Sequence, residues 1–478
     1  MWEKEALMHL GHRVRLWAGL VVMTAALSAT SASAQQFGNG QDGVLEVNDT
    51  RAINDSALIT AEANAGDYLL TVSHTTGFAA GHAVLVVQMQ FVEGGARSEV
   101  GAFEMHRMTR VRAGTIELES PLGRAFPAKA SQVVSLPEYV SVAIAPDAGL
   151  VAPAWNGLGG VLAFLCDGRI TNNGRIDARG AGFRGGTGRG ALHDRGGCVS
   201  LDEPAPGGSE RGEGARVGTF GAAFTGRGNN DTGGGGGVCA FSGGGGGGHR
   251  GEGGVGGFSA STAATGGLPG ASLSGKGLVL GGGGGAANGL NANPRNGGIG
   301  GGVVFIGARE LTGRGVISSD GLQGGSVTES TGAASGGGAG GTVWLEIAGD
   351  AVCQISAAGG NGGNTVSTGP GGGGGGGLIR LQAQVVRSCT TSVSGGLPGL
   401  ANQMAFGAGP LSPDVPPNTG EIDVVDVYGE EIPLPKDKRS ALIGIGCGCD
   451  AGAGGAAVWL LVLALLRRSG RAGRRSAT

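Results

Sequence analysis

The chain has 478 residues with a formal net charge of −3, and 107 of those residues are glycine. With 17 prolines the two backbone-punctuating residues reach about a quarter of the sequence, a level at which low-complexity disorder is the default reading. Aromatics are only 4% and, from Gln35 to Cys449, 26 Lys and Arg face 34 Asp and Glu; nucleic-acid binding and an aromatic stacking platform are both disfavoured.

Residues 1–34 read as a secretory signal, with Arg13 and Arg15 as the basic flank, Leu16 to Leu27 as the apolar core and Ala32-Ser33-Ala34 as the cleavage site before Gln35. Glu3 and Glu5 are atypical of a signal and point to a start slightly downstream, near Met8. An N-terminal membrane anchor would need a longer apolar run. Export makes disulfides permissible.

Residues 37–150 are the least glycine-rich part and read as an N-terminal β domain. Tyr68–Val72, Ala83–Met89, Thr115–Glu119, Val133-Val134 and Tyr139–Ile144 are β-branched or alternating runs between turn residues. Five or more short strands suggest a sandwich or a solenoid cap, and a cap has a purpose, since an open end of stacked strands is an aggregation edge.

From residue 151 a short pattern recurs. A Gly-Gly pair leads into an apolar strand at Val161–Phe164, Val303–Ile306, Val343–Leu345 and Leu378–Leu381. A second short strand follows at Gly174–Gly180, Gly315–Gly321, Cys353–Gly359 and Cys389–Gly395, and the last three copies start 39 and 36 residues apart. That is the period of a solenoid repeat, whose units bury their apolar faces only by stacking. Stacking would align Ile176, Ile317, Ile355 and Thr391 in one interior column, with Ala178, Ser319, Ala357 and Val393 in the next. Cys353 and Cys389 fall in one column of consecutive copies; strands about 4.8 Å apart bring their Cα atoms within disulfide range. A Cys353–Cys389 bond is therefore expected.

Residues 151–186 form the first repeat, 187–300 a glycine-rich insertion and 301–409 the main repeat region. The runs Gly233–Gly237, Gly243–Gly248, Gly281–Gly285, Gly336–Gly338 and Gly371–Gly377 admit two readings. Polyglycine has the most backbone entropy to lose, which favours a linker. Alternatively the runs pack as polyproline-II strands too close for side chains, their N–H groups bonded to adjacent chains. The phase they keep with the repeat strands favours order beside the repeats. The fold class expected is all-β: an N-terminal β domain, then a glycine-rich β-solenoid with polyglycine connectors and a C-terminal hydrophobic helix.

Candidate chemistry is sparse. Asp177 and Asp320 lie on repeat strands but in different columns, near Arg175, Arg179 and Arg184; solvated outward faces account for them, while paired carboxylates beside Arg are what a polysaccharide lyase or hydrolase on a β-helix would use. His74, His82, His106, His193 and His249 show no HExxH and no zinc spacing. His193-Asp194 near Cys198 suggests a Cys-His pair, but pairing of Cys198 with Cys239 is the blander reading and leaves Cys166 over. No phosphate-loop lysine follows any glycine run, and no calcium-binding nonapeptide is present. No cofactor and no metal is expected, and the chain reads as no enzyme.

Residues 410–445 are a proline-rich linker with one last edge strand at Glu421–Val427. The tail, 446–478, runs Gly446-Cys447-Gly448-Cys449, then an apolar or glycine stretch from Ala451 to Leu466, then Arg467, Arg468, Arg471, Arg474 and Arg475. Residues 451–466 span a bilayer marginally, with the arginines holding the end on the cytoplasmic side.

This tail resembles the C-terminal sorting signals of myxobacterial surface proteins, the MYXO-CTERM family. The resemblance implies recognition by a sorting protease of the membrane, cleavage near Cys447 or Cys449, and lipid on the new terminus at the cell surface or outer membrane. A tail-anchored span with incidental cysteines is the alternative. The body, through Ala83–Gln90, Gln132–Tyr139, Ala152–Gly157, Gly159–Phe164 and Gly182–Gly186, is similar to large bacterial surface proteins such as the AgmC-type adventurous gliding motility proteins. That likeness implies an exported protein touching surface polysaccharide or other envelope proteins. The glycine runs also resemble ordered glycine-rich domains of some animal receptors, a fold-level analogy alone.

Overall fold

The computed structural model describes residues 37–188, 208–238, 241–258, 266–275, 277–289, 295–329, 332–366, 369–401 and 420–426. Strands occur in rungs. The first comprises β1 (Val44–Val47) and β2 (Thr50–Arg51). The chain then leaves to build β3 (Ser56–Leu58), β4 (Leu69–Thr71), β5 (Ala83–Gln88), β6 (Phe103–Arg112), β7 (Thr115–Leu118) and β8 (Ser131–Leu136), and returns as β9 (Glu138–Tyr139), β10 (Ser141–Ile144) and β11 (Gly149–Val151). The repeat rungs are β12 (Val161–Asn172) with β13 (Arg175–Asp177), β14 (Val303–Thr312) with β15 (Val316–Ser318), β16 (Thr342–Ile347) with β17 (Asp350–Ser356), and β18 (Leu378–Ala383) with β19 (Val385–Ser392). The strand β20 (Glu421–Asp426) closes the series by pairing in parallel with β18, where the sequence placed a last edge strand. Among the described residues the regular structure is β apart from one short 3-10 turn at Arg97–Glu99.

All rungs join one fourteen-stranded sheet whose pairs are parallel. It bends into three faces. The first stacks the front half of β12 and of β14 on β16, β18 and β20; the second stacks β1, β10, the back halves of β12 and β14, and the starts of β17 and β19; the third stacks β2, β11, β13, β15 and the ends of β17 and β19. Their inner sides share one core, including Leu162, Phe164, Ile170, Ile176, Ile306, Leu311, Ile317, Leu345 and Ile355. The expected interior column is present in register, Ile176 to Ile317 to Ile355 to Thr391, and extends at one end to Leu150, whose partner in the end rung is the exposed Arg51.

Where β12 and β14 run through it, the first face is apolar on both sides, which explains strands that read as unbroken hydrophobic runs. Its outer residues Val161, Ala163, Val303, Phe305 and Trp344 pack against Leu85, Val87, Phe103, Met105, Val134 and Leu136 of a six-stranded antiparallel sheet, ordered β3-β8-β5-β6-β7-β4. Phe103 meets Phe305 and Trp344 edge-on, at 5.4 and 5.3 Å between ring centres. The stretch expected as one N-terminal domain, 37–150, thus divides. Residues 56–136 form the antiparallel sheet, while 44–51 and 138–151 are rungs of the solenoid, a role their short length and lack of a Gly-Gly lead conceal in the sequence. The segment leading into the added sheet also covers an edge: the buried Asn54 amide donates to the Ala163 carbonyl at 2.7 Å and accepts the Ala163 N–H at 3.0 Å, standing in for a missing strand.

The described glycine runs are ordered. Along Gly281 to Ala286 the N–H groups donate in turn to the carbonyls of Gly301, Gly248, Glu213, Gly298, Gly245 and Glu210, at 2.8–3.0 Å. Every third donor returns to the same neighbouring segment, three residues further back. That is the signature of a threefold extended helix of polyproline-II type bonded to three antiparallel neighbours. Ala334 to Ala339 keeps the threefold spacing, donating to Gly369, Gly325, Gly285, Gly372, Leu322 and Gly282, with two neighbours antiparallel and the 369–372 segment parallel. Neighbours lie so close that a Cβ on Gly245 would stand 2.1 Å from the Leu268 carbonyl oxygen. The insertion therefore lies alongside the repeats: its described segments and the connectors of the repeat rungs form one bundle of glycine helices.

Candidate functional site

The third face of the solenoid carries the one group of charges that the sequence singled out and the fold brings together. Side chains alternate along short strands, so Ile176 and Ile317 point inward while Arg175, Asp177, Val316 and Ser318 point out. A groove of about 430 Å3 on that outer side is lined by Arg175, Asp177, Arg179, Ser318, Asp320 and Asp147, among others. Asp177 pairs in register with Ser318, so Asp320 lies two residues beyond it and the two aspartates occupy different columns, as the alignment implied.

Each of the charges that the sequence singled out has a structural partner. The Asp320 carboxylate accepts the Ser318 hydroxyl at 2.8 Å, the Ser356 hydroxyl at 2.5 Å and the Ala358 N–H at 2.7 Å, and so ties its own rung to the next. Asp177 accepts the Arg179 N–H at 2.9 Å and faces the Arg179 guanidinium at 3.4 Å. Arg175 donates to the Thr50 hydroxyl at 3.1 Å. Arg184 lies elsewhere: it pairs with Glu213 at 2.8 Å and stacks over Phe220 at 4.4 Å. Asp147, absent from the sequence reading, enters from the turn between β10 and β11, which that reading assigned to a separate domain.

Cys353 and Cys389 are disulfide-bonded with Cα atoms 4.4 Å apart, on paired positions of β17 and β19. Cys166 is a buried free thiol, and burial raises its pKa. Cys198, Cys239, His193 and Asp194 lie outside the described residues, as do Ala34 and Gln35 at the signal cleavage site, Cys447 and Cys449, and the span expected at 451–466. Among the described residues no helix is long and apolar enough to cross a membrane, and no group of three or more His, Cys, Asp or Glu side chains is placed to hold a metal ion. His74 is exposed, and His82 faces Asp42 at 3.5 Å. His249 is fully buried, its Nε2 near the Val279 carbonyl at 3.1 Å and the Thr342 hydroxyl at 3.2 Å, and burial pushes its pKa down to about 3.

No protein-family profile matches the chain, and no curated protein does. Among solved structures it is distantly similar to the tailspike protein gp49 of Pseudomonas phage LKA1, at 10% identity over 73% of this chain and 63% of the tailspike, with a TM-score of 0.15. A second likeness is to the tailspike gp61 of Pseudomonas phage phi297, at 10% identity over 76% of this chain and 62% of that one, with a TM-score of 0.16. The chain spans less than two-thirds of either tailspike, and likeness at that level carries no argument.

Proposed function

We infer that the protein is an exported, surface-anchored scaffold that acts through its shape rather than by catalysis, supporting adhesion, envelope organisation or gliding. The observation that carries this reading is the Asp320 carboxylate. Its three donors come from its own rung and the next, so the most catalytic-looking side chain of the groove is engaged in holding the stack together. Rigid presentation is also what a bundle of glycine helices supplies, because its cohesion is backbone hydrogen bonding repeated along every segment. The signal at 1–34 and the MYXO-CTERM-like tail at 446–478 give the route: export, cleavage by a membrane sorting protease near Cys447 or Cys449, and anchoring at the cell surface. The partners fitting this reading are surface polysaccharide and other envelope proteins.

The groove favours one competing reading, a surface polysaccharide-active enzyme, since Asp177, Asp320, Arg175 and Arg179 share its wall. A depolymerisation screen on surface glycans, run with D177N and D320N beside the unaltered protein, separates the two. Glycan cleavage that disappears with either substitution overturns the scaffold reading. A deletion strain with normal adhesion and normal gliding would remove those two roles from it.

A further inference from the structure

The six-stranded sheet holds a second constellation. Glu104 and His106 lie two residues apart on β6, so both side chains leave the same side of the sheet, opposite Val86 and Val84 of β5. Ser120 follows β7, which pairs with β6 through Met108 and Leu118, and the Glu119 N–H bonds to the Arg107 carbonyl at 2.8 Å. The pairing brings the Ser120 hydroxyl to 3.0 Å from His106 Nδ1, while His106 Nε2 lies 2.9 Å from Glu104 Oε2. The His106 and Glu104 side chains are 2% and 7% exposed, against the apolar group of Val84, Val86, Met108, Leu118 and Phe126, whereas Ser120 is half-buried and meets solvent.

We propose that Ser120 is a nucleophilic serine, with His106 as its general base and Glu104 as the positioning residue, reactive towards activated acyl and phosphonyl groups. The partners assign the tautomer. Glu104 Oε2 already accepts the Gly123 N–H at 2.9 Å, and Arg124 Nε stands 3.5 Å from Oε1. Nε2 therefore carries the hydrogen it donates to Glu104, and Nδ1 keeps a lone pair for the Ser120 proton. A nucleophile, a base in hydrogen-bond reach and a third group orienting the base are the parts that activate a serine. In the step, Ser120 Oγ bonds to the acyl carbon as its proton passes to Nδ1; the bond to the leaving oxygen breaks, and that oxygen takes the proton from His106. An ester on Ser120 and an alcohol result; with a fluorophosphonate Ser120 Oγ bonds to phosphorus instead, the phosphorus–fluorine bond breaks, and fluoride leaves with the proton. This inference does not rest on the scaffold reading: an unreactive Ser120 leaves that reading standing, and turnover at Ser120 would confine its non-catalytic role to the solenoid and the glycine bundle.

The test is labelling of the full-length protein with a fluorophosphonate, read by peptide mass spectrometry, with release of p-nitrophenol from p-nitrophenyl acetate as a second signal. One adduct on the peptide holding Ser120 is expected, absent from S120A. General-base assistance is commonly worth about 100-fold or more, so H106Q is expected to slow labelling by at least about that factor. E104Q is expected to slow labelling of the folded protein and to change the pH profile of the labelling rate, a readout that a purely structural Glu104 would not move. Nitrogen-15 shifts of the His106 ring are expected to show hydrogen on Nε2, a readout that needs no variant to fold. A native protein that stays unlabelled, labelling that persists in S120A, or a ring with its hydrogen on Nδ1 overturns the proposal.

Discussion

A Cβ on Gly283 would sit 1.9 Å from the carbonyl oxygen of Arg184, well inside van der Waals contact with backbone that has no side-chain freedom to yield. The same glycine donates its N–H to Glu213 at 2.9 Å. One residue thus bonds to one neighbouring segment and meets a second at a distance that only a hydrogen substituent allows. Overpacking a tight site typically costs about 1–3 kcal/mol, and here the contact is with backbone, so G283A is expected at or above the upper end. Gly66, with φ at +93° and open space around its Cβ position, is the control: G66A meets strain without a clash and should lose only about 1–2 kcal/mol. Equal losses for the two variants in urea titrations would contradict the close-packed bundle.

Because the runs are bonded every third residue to each neighbour, their amides are expected to exchange as slowly as those of the solenoid strands. Hydrogen exchange across 281–286 and 334–341 should give protection comparable to 303–308 and 342–347. Exchange at random-coil rates in the glycine segments, with the strands protected, would sink the ordered reading.

The repeat itself was legible in the sequence because it is written in local chemistry. The Gly-Gly leads, the aligned second strands and the Cys353–Cys389 spacing each report the stacking register directly. What stayed illegible was long-range. Leu45, Val142 and Leu150 read as parts of an ordinary β domain, and only pairing with residues far along the chain makes them rungs. The glycine runs posed a subtler difficulty. With no side chains they carry no periodicity, so the threefold pattern exists only in the choice of acceptors. In the candidate groove the aspartates were found by their place on the strands, but Asp147 was missed, and the Ser356 and Ala358 donors that occupy Asp320 belong to the following rung.

The disulfide closes a loop of sequence separation 36 between consecutive rungs. Chain-entropy estimates for such a loop come to roughly 3–4 kcal/mol. The C353S/C389S double variant should therefore unfold at distinctly lower urea, and reductant should bring the unaltered protein down to it. Both proteins should keep the same β spectrum under native conditions, because Ile317, Ile355 and the neighbouring core hold the register without the bond. Loss of the β signal on reduction alone would show that the crosslink, not the stacked core, sets the fold.

His249 makes the bundle acid-sensitive, and the sign follows from its surroundings. Burial, with Arg250 adding its positive charge, disfavours the imidazolium, so the folded value falls from the ordinary 6.5 to about 3. Between those values the unfolded chain binds a proton that the folded chain refuses, and stability must drop as pH falls through that window. The contribution is present in full above about pH 6.5, declines below it, and levels off once pH passes about 3, a total on the order of a few kcal/mol. H249Q removes the titrating group while keeping a donor for the Val279 carbonyl. Its urea midpoint is expected to fall less between pH 7 and pH 4 than that of the unaltered protein. Parallel pH profiles for the two would mean that other groups govern the acid response and that His249 is not held neutral in the bundle.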